Sequence, residues 1–167
     1  PDIAVEDYLR VIRFKTAKLF EASARLGAIL AEVPADVEEA CAAYGRSLGT
    51  AFQLVDDLLD YEGDSSRLGK NVGDDLREGK PTMPLLLAMQ RGTAAERELI
   101  RSSIEQGEVA GLHAIVDVVR RTGALDATRA AARAEATRAQ ECLGLMPDSM
   151  HRAALLELCL RSVDRSS

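Results

Sequence analysis

The feature that most constrains the fold is a run of three aspartates inside an apolar, strongly helical segment at residues 52–60. On an α-helix Asp56 and Asp60 share one face because they lie four residues apart, and Asp57 borders that face. Like charges this close repel one another, and burying them without partners is costly. A bound cation removes that cost, and carboxylate oxygens are hard ligands. The segment therefore predicts a Mg²⁺ site at Asp56, Asp57 and Asp60, the alternative being that these aspartates face water.

The composition is typical of one helical globular domain. Of the 167 residues, 47% are hydrophobic and 29% are charged, and only five are prolines. The net charge of −6 argues against a nucleic-acid-binding surface. No apolar run approaches the roughly 20 residues of a membrane-spanning helix. We therefore expect an all-α fold, no nucleic-acid partner and no transmembrane segment.

Three cysteines bear on the cellular compartment. Cys41, Cys142 and Cys159 are far apart, odd in number and form no CxxC pair. We expect reduced, mostly buried thiols and a cytoplasmic protein. The sequence begins at Pro1, so the absence of a targeting signal carries little weight.

Periodicity predicts a first helix from about Asp2 to Glu32, with a lysine on its apolar stripe. A lysine in that position is rarely left without a partner. We expect Lys15, together with the hydroxyl of Thr16, to meet an anion inside a cavity. The alternative is that the lysine stem follows the apolar surface and its ammonium reaches solvent. The stripe consists of Tyr8, Ile12, Leu19, Leu26 and Ile29.

A second helix is predicted to run from an N-cap at Asp36, with Glu39 completing a capping box, to about Tyr61. One sector of this helix, roughly 100° wide, combines glycines with polar side chains. The missing side chains predict a cavity beside the metal site; the alternative is that the glycines permit close helix packing. The sector contains Gly45, Gly49, Phe52, Gln53, Asp56 and Asp60.

Residues 63–80 are rich in glycine and in charges of both signs, which predicts a loop. Lys70 and Lys80 each follow a glycine, so a phosphate can approach both the backbone and a positive charge. The same pattern is common in solvated loops, where Asp74 and Asp75 would pair with the cations.

Helix is expected to resume near Thr82, with Pro84 in the first turn. A capping box of Thr93 and Glu96 predicts the start of the next helix. The helices expected from there on cover about 94–105, 109–122, 124–145 and 148–164.

Together these residues suggest a polyanion held between two groups of opposite character. Magnesium on the aspartates takes one side of the ligand and the lysines take the other. Diphosphate is the natural ligand for that arrangement.

The order and spacing of these motifs resemble the trans-polyprenyl diphosphate synthases over roughly residues 5–90. Within that family, the run NVGDD at 71–75 and the short helical tail are most similar to bacterial octaprenyl and similar long-chain synthases, which make the side chain of respiratory quinones. The matching segments are KTA at 15–17 with LF at 19–20, YG at 44–45, LG at 48–49, the motif at 52–60, LGKNVGDD at 68–75 and EGKPTMPL at 78–85.

The resemblance implies an all-α, isoprenoid synthase-type helical bundle around a deep cavity. It also implies a Mg²⁺-dependent prenyltransferase that condenses an allylic diphosphate with isopentenyl diphosphate to make a long-chain polyprenyl diphosphate. Asp56, Asp57 and Asp60 match the second aspartate-rich motif of the family, whose carboxylates bind Mg²⁺ directly or through water. The metal on Asp56 is implied to stabilise the charge that develops on the leaving diphosphate.

The resemblance also assigns the substrate-binding residues. Lys15 and Lys70 are implied to act with the metal as electrostatic catalysts. Lys15, Thr16, Gln53 and Lys70 match residues that hold the allylic diphosphate, and Lys80 matches a lysine near the same mouth.

The chain departs from the family pattern in one respect. The first aspartate-rich motif, the arginine pair after it and the lysine–arginine–histidine set for isopentenyl diphosphate do not occur in the sequence. Asp74 and Asp75 do not replace them, because no third carboxylate follows at the required spacing. In relatives these elements precede the region that matches Lys15. We therefore expect residues 1–167 to be the C-terminal part of a single synthase domain, inactive alone.

Such a part is expected to need its missing N-terminal half or a homodimer partner. Three alternatives stay open: a non-catalytic helical subunit that partners an active prenyl synthase, another isoprenoid enzyme such as a terpene cyclase, and a generic helical domain with a solvated acidic face.

Overall fold

The computed structural model describes residues 3–62, 73–107 and 111–165, which form helices joined by turns and contain no strand. The expected all-α class is therefore confirmed. No helix in these ranges is both long and apolar enough to cross a membrane. The helices are α1 (Val5–Ile12), a π turn (Arg13–Ala17), α2 (Lys18–Leu30), α3 (Ala35–Glu62), α4 (Asp74–Arg77), α5 (Met83–Arg91), α6 (Ala94–Gln106), α7 (Leu112–Arg121), α8 (Ala124–Cys142), a 3-10 turn (Leu143–Leu145) and α9 (Met150–Val163).

The first helix is interrupted by the π turn between α1 and α2. Hydrogen bonds in a π turn skip one residue more than those of an α-helix, so the faces before and after it are out of register. Tyr8 and Ile12 are buried, whereas Leu19, Leu26 and Ile29 are exposed. The single apolar stripe predicted along this helix is therefore wrong, because it assumed an unbroken 3.6-residue period.

The chain divides into two compact units. The unit that we call the aspartate unit contains the described residues of 3–8 and 56–129. The unit that we call the lysine unit contains residues 9–55 and the described residues from 130 onward.

In the aspartate unit α5 forms the centre of the core. Every residue from Met83 to Met89 is buried, and α5 packs against α6 and α7. Pro84 lies in the first turn of α5, where a missing N–H costs no helical hydrogen bond, as predicted. The predicted capping box of Thr93 and Glu96 begins α6.

In the lysine unit the core lies between α3, α8 and α9. The Tyr44 hydroxyl donates to the carbonyl of Leu155 (3.2 Å) within this core. Cys41 and Cys159 are buried, Cys142 is partly buried, and all three are free thiols, as expected. The central buried residues are Tyr44, Leu48, Ala139, Leu143 and Cys159.

The start of α3 differs from the prediction by two residues, because Pro34 rather than Asp36 precedes the first helical residue. The helix begins at Ala35, and the N–H of Glu38 donates to the carbonyl of Pro34 (3.0 Å). Asp36 lies inside the first turn and is not the N-cap. The predicted capping box of Asp36 and Glu39 is therefore wrong.

Gly45 and Gly49 allow α3 to approach α2 and the π turn backbone to backbone. A Cβ on Gly49 would lie 2.7 Å from the Cα of Ala17, and one on Gly45 would lie 2.8 Å from the Cα of Glu21. Real Cβ atoms do not come this close to other atoms. The glycines therefore permit close packing, and the prediction that they leave a cavity is wrong.

Candidate active site

Asp57 is held by the hydroxyl of Tyr8, which belongs to the N-terminal segment of the aspartate unit. Its side chain is buried, with the residue 3% exposed, and it accepts a hydrogen bond from the Tyr8 hydroxyl. Burial, and then the charge of Asp57, raise the pKa of the Tyr8 phenol. Tyr8 therefore keeps its proton and remains a hydrogen-bond donor to the carboxylate.

Asp60 accepts hydrogen bonds from three consecutive backbone N–H groups, those of residues 73–75. Its two carboxylate oxygens accept the N–H groups of Asp74 and Asp75, each at 3.2 Å. Its carbonyl accepts the N–H of Gly73 (3.1 Å), which has a φ of 84° in the left-handed region that favours glycine. Asp60 thus fixes the beginning of α4 on the end of α3.

The environment of Asp60 makes its ionised form costly. Burial, followed by the negative charge of Asp75, raises the pKa of Asp60 from 3.8 to about 6, although the two amide hydrogen bonds act in the opposite direction. A bound cation lowers the pKa of a carboxylate beside it. Asp60 would therefore lose its proton fully when a cation binds near neutral pH.

Asp56 is the aspartate with open oxygens. It is half-buried, and within residues 3–62, 73–107 and 111–165 its carboxylate makes no hydrogen bond or ion pair. In the same ranges, no three potential ligands among His, Cys, Asp and Glu lie close enough together to hold an ion. The three-aspartate metal site therefore stays a prediction.

The donor chemistry of these aspartates nevertheless fits a hard cation such as Mg²⁺. Asp56 offers its oxygens directly. A carboxylate has about four acceptor positions, so the two amides leave Asp60 with capacity for a ligand bond. Asp57 is the least accessible of the three because it is buried and bonded to Tyr8.

The described cations near Asp60 pair with acids, as the alternative for this segment predicted. Arg77 contacts Asp74 at 2.5 Å, and Lys80 contacts Asp75 at 3.1 Å and also pairs with Glu78. The hydrogen bond that Lys80 donates to Glu78, and then the one that it donates to Asp75, raise the pKa of Lys80, although burial acts in the opposite direction. Lys70 lies outside the described residues.

In the lysine unit the π turn carries two of the predicted substrate-binding residues. The Thr16 hydroxyl donates to Oε1 of Gln53 (2.7 Å), so the structure brings these two predicted residues together. Lys15 is exposed, and its contact with an anion stays a prediction. Arg13, at the start of the turn, pairs with Glu135 of α8 (3.3 Å).

Sequence reasoning missed the roles of two side chains. Tyr8 was assigned only to the apolar stripe, although a buried tyrosine hydroxyl usually requires a partner. Glu135 was not singled out at all. Its local signal is Arg138, three residues later, which indicates an ion pair on one helix face.

Residues 1–119 match the family described as Polyprenyl synthetase. The chain belongs to the polyprenyl synthetase family. Within this family, the octaprenyl diphosphate synthase of Escherichia coli is 49% identical over 168 residues, which cover 99% of this chain and 51% of the relative.

Solved polyprenyl synthase structures share the fold. A decaprenyl diphosphate synthase from Rhodobacter capsulatus matches with a TM-score of 0.89 and 42% identity, over 96% of this chain and 50% of that one. A polyprenyl synthase from Caulobacter crescentus, complexed with calcium and isoprenyl diphosphate, matches with a TM-score of 0.90 and 42% identity. The match covers 99% of this chain and 51% of that one. The expected isoprenoid synthase-type fold is thus confirmed, and the chain spans about half the length of the relatives it matches.

Proposed function

We propose that this polyprenyl synthetase family member acts in Mg²⁺-dependent prenyl transfer. The reaction condenses an allylic diphosphate with isopentenyl diphosphate and yields a long-chain polyprenyl diphosphate, the precursor of a quinone side chain, in the cytoplasm. The observation that carries the proposal is the 49% identity with an octaprenyl diphosphate synthase across 99% of this chain.

Asp56, Asp57 and Asp60 are proposed as the residues for the metal. When bound, Mg²⁺ supplies positive charge that stabilises the diphosphate leaving group. The open oxygens of Asp56 and the raised pKa of Asp60 support the assignment, because both favour a bound cation. The calcium in the Caulobacter crescentus relative supports a divalent cation in this family.

Lys15, Thr16, Gln53, Lys70 and Lys80 are proposed to bind the allylic diphosphate. Ammonium groups and a hydroxyl complement the phosphate oxygens, and their charge stabilises the transition state as the allylic C–O bond breaks. The double bond of isopentenyl diphosphate then attacks the allylic cation, a C–C bond forms, and a proton passes to the released pyrophosphate. The hydrogen bond from Thr16 to Gln53 supports their assignment to one subsite.

Residues 1–167 are proposed to supply one half of a synthase domain. The relatives are about twice as long, so we propose that an N-terminal half, or a homodimer containing it, provides the first aspartate-rich motif and the isopentenyl diphosphate site. The half-length match also favours a second candidate: a non-catalytic helical subunit that partners an active prenyl synthase.

A prenyl-transfer assay with Mg²⁺ tests the proposal. The 167-residue polypeptide should show no turnover, whereas the protein expressed from the complete reading frame should elongate the allylic substrate by five-carbon units. Asp56→Asn should abolish most of that turnover, and Asp126→Asn, an exposed acid on α8, should leave it unchanged. Turnover by the 167 residues alone would refute the half-domain proposal.

The subunit candidate predicts a different result in the same assay. The complete reading frame would then be inactive alone and would stimulate an added active synthase even as the Asp56→Asn variant. Activity of the complete protein by itself excludes this candidate.

A further inference from the structure

The π turn is anchored at both of its ends within the lysine unit. At its start, Nη2 of Arg13 lies 3.3 Å from Oε1 of Glu135 on α8. Toward its end, the Thr16 hydroxyl donates to Gln53 at 2.7 Å, and Ala17 is fully buried against Gly49 of α3. Lys15 lies between the two anchors and is itself exposed.

The anchors matter because a π turn is not the conformation that a helix adopts by default. Such turns are rare, occur singly inside α-helices and are frequent at functional sites. Contacts outside the turn must therefore hold it against conversion to a regular α-helix. Conversion would rotate Lys15 relative to Thr16 and to the packed Ala17.

Glu135 is unusual among the acids of the lysine unit because it is buried, at 6% exposed. A buried carboxylate needs compensating partners. Arg138, on the same helix, lies 2.7 Å from the same oxygen that binds Arg13. Arg138 compensates the charge locally, whereas Arg13 connects that charge to the π turn.

We infer that Glu135 is a positioning residue for Lys15: through Arg13 it holds the π turn in the conformation in which Lys15 meets a diphosphate. The inference rests on the proposed function for the identity of the ligand. The contact between Arg13 and Glu135 is observed whatever the function of the protein is.

Amide hydrogen exchange tests the anchor in the protein expressed from the complete reading frame. Glu135→Gln and Arg13→Gln should speed exchange of the amides of residues 13–18 by about tenfold, the loss expected for a charged hydrogen bond. Arg13→Lys should restore most of the protection because it keeps the charge. Arg138→Gln is the matched control, and it should leave these amides within about twofold of the wild-type rate.

Binding of inorganic pyrophosphate with Mg²⁺, measured by calorimetry, tests the positioning. Lys15→Ala and Glu135→Gln should each weaken binding about tenfold, and the double variant should bind no more weakly than Lys15→Ala alone. Non-additivity is expected because Glu135 acts only through Lys15, whereas a general loss of stability would make the two effects add.

Three outcomes count against the inference and are distinguishable. Unchanged exchange at residues 13–18 in Glu135→Gln overturns the anchor. Additive effects on pyrophosphate binding overturn the positioning role. Normal pyrophosphate binding by Lys15→Ala overturns the proposed diphosphate role of Lys15, and with it the positioning role, while the exchange result shows separately whether the anchor exists.

Discussion

Asp60 in the aspartate unit is half-buried and Glu135 in the lysine unit is buried, and their partners differ in charge. The carboxylate of Asp60 accepts two backbone N–H groups and lies near the acid Asp75. The carboxylate of Glu135 contacts the guanidinium groups of Arg13 and Arg138. One acid is oriented by neutral donors, and the other is compensated by cations.

The difference separates a residue suited to bind a cation from one suited to hold structure. Neutral donors fix the direction of a carboxylate without cancelling its charge, so the charge of Asp60 remains available to a metal. The phenol of Tyr8 orients Asp57 in the same way. Two arginines cancel the charge of Glu135, which leaves it little affinity for a further cation.

The largest predicted effect concerns the packing that surrounds the π turn in the lysine unit. Gly49→Ala should lower the free energy of unfolding by about 3 kcal/mol, because its Cβ would meet the Cα of Ala17 at 2.7 Å and the backbone must move. Guanidinium chloride titration measures the change.

Gly27→Ala, in α2 of the same unit, is the matched control. No atom lies within 4 Å of a Cβ at this exposed helical position. The substitution should raise the free energy of unfolding by about 0.5 kcal/mol through the better helix propensity of alanine. Equal effects of the two substitutions would show that the close approach of Gly49 to Ala17 does not limit the free energy of unfolding.

Local sequence signals predicted the elements that local interactions decide. Pro84 in a first turn and the box of Thr93 with Glu96 act within a few residues of the chain, and both are found where predicted. The π turn could not be predicted in this way, because its anchors Gln53 and Glu135 lie far along the sequence.

The same distinction applies to the candidate site. The motif at residues 52–60 identified the aspartates and the chemistry of their oxygens. It did not indicate where each carboxylate points, because Asp57 depends on Tyr8, 49 residues earlier, and Asp60 on the amide of Asp74, 14 residues later. Helical periodicity shows which residues share a face of one helix, but it does not show which residues of other elements contact that face.

Removing the hydroxyl that holds Asp57 should give the next largest effect. Tyr8→Phe should cost about 2 kcal/mol of unfolding free energy, because a buried carboxylate loses a charged hydrogen bond. Thermal and denaturant unfolding both measure it. If the Tyr8 hydroxyl orients Asp57 for a metal, the affinity of Tyr8→Phe for Mg²⁺ should also differ from that of the wild type.

Tyr61→Phe is the control for Tyr8→Phe in the same unit. Tyr61 is fully buried, and within the described part of the chain its hydroxyl has no charged hydrogen-bond partner. Its removal should therefore change the free energy of unfolding by less than about 0.5 kcal/mol. A comparable loss in both variants would mean that removal of any buried hydroxyl, rather than loss of the bond to Asp57, accounts for the effect of Tyr8→Phe.

The smallest predicted effect is a pH dependence that belongs to Asp60 alone. Its pKa in the folded chain, about 6, lies above its ordinary value of 3.8, so the folded state holds the proton more tightly than the unfolded chain. The stability contributed by the protonated acid is present below pH 3.8 and is lost as the pH rises through about 6. Because Asp60 is only half-buried, we expect solvent to reduce this loss to about 1 kcal/mol.

Asp60→Asn keeps an oxygen that can accept an amide N–H but carries no titrating proton. Between pH 4 and 7 without Mg²⁺, its free energy of unfolding should therefore fall by about 1 kcal/mol less than that of the wild type. Adding Mg²⁺ at pH 7 should raise the free energy of unfolding of the wild type by about the same 1 kcal/mol, because the cation binds the ionised carboxylate. It should change the free energy of unfolding of the variant little. Parallel pH profiles of the two proteins would contradict the view that the charge of Asp60 is oriented without being compensated.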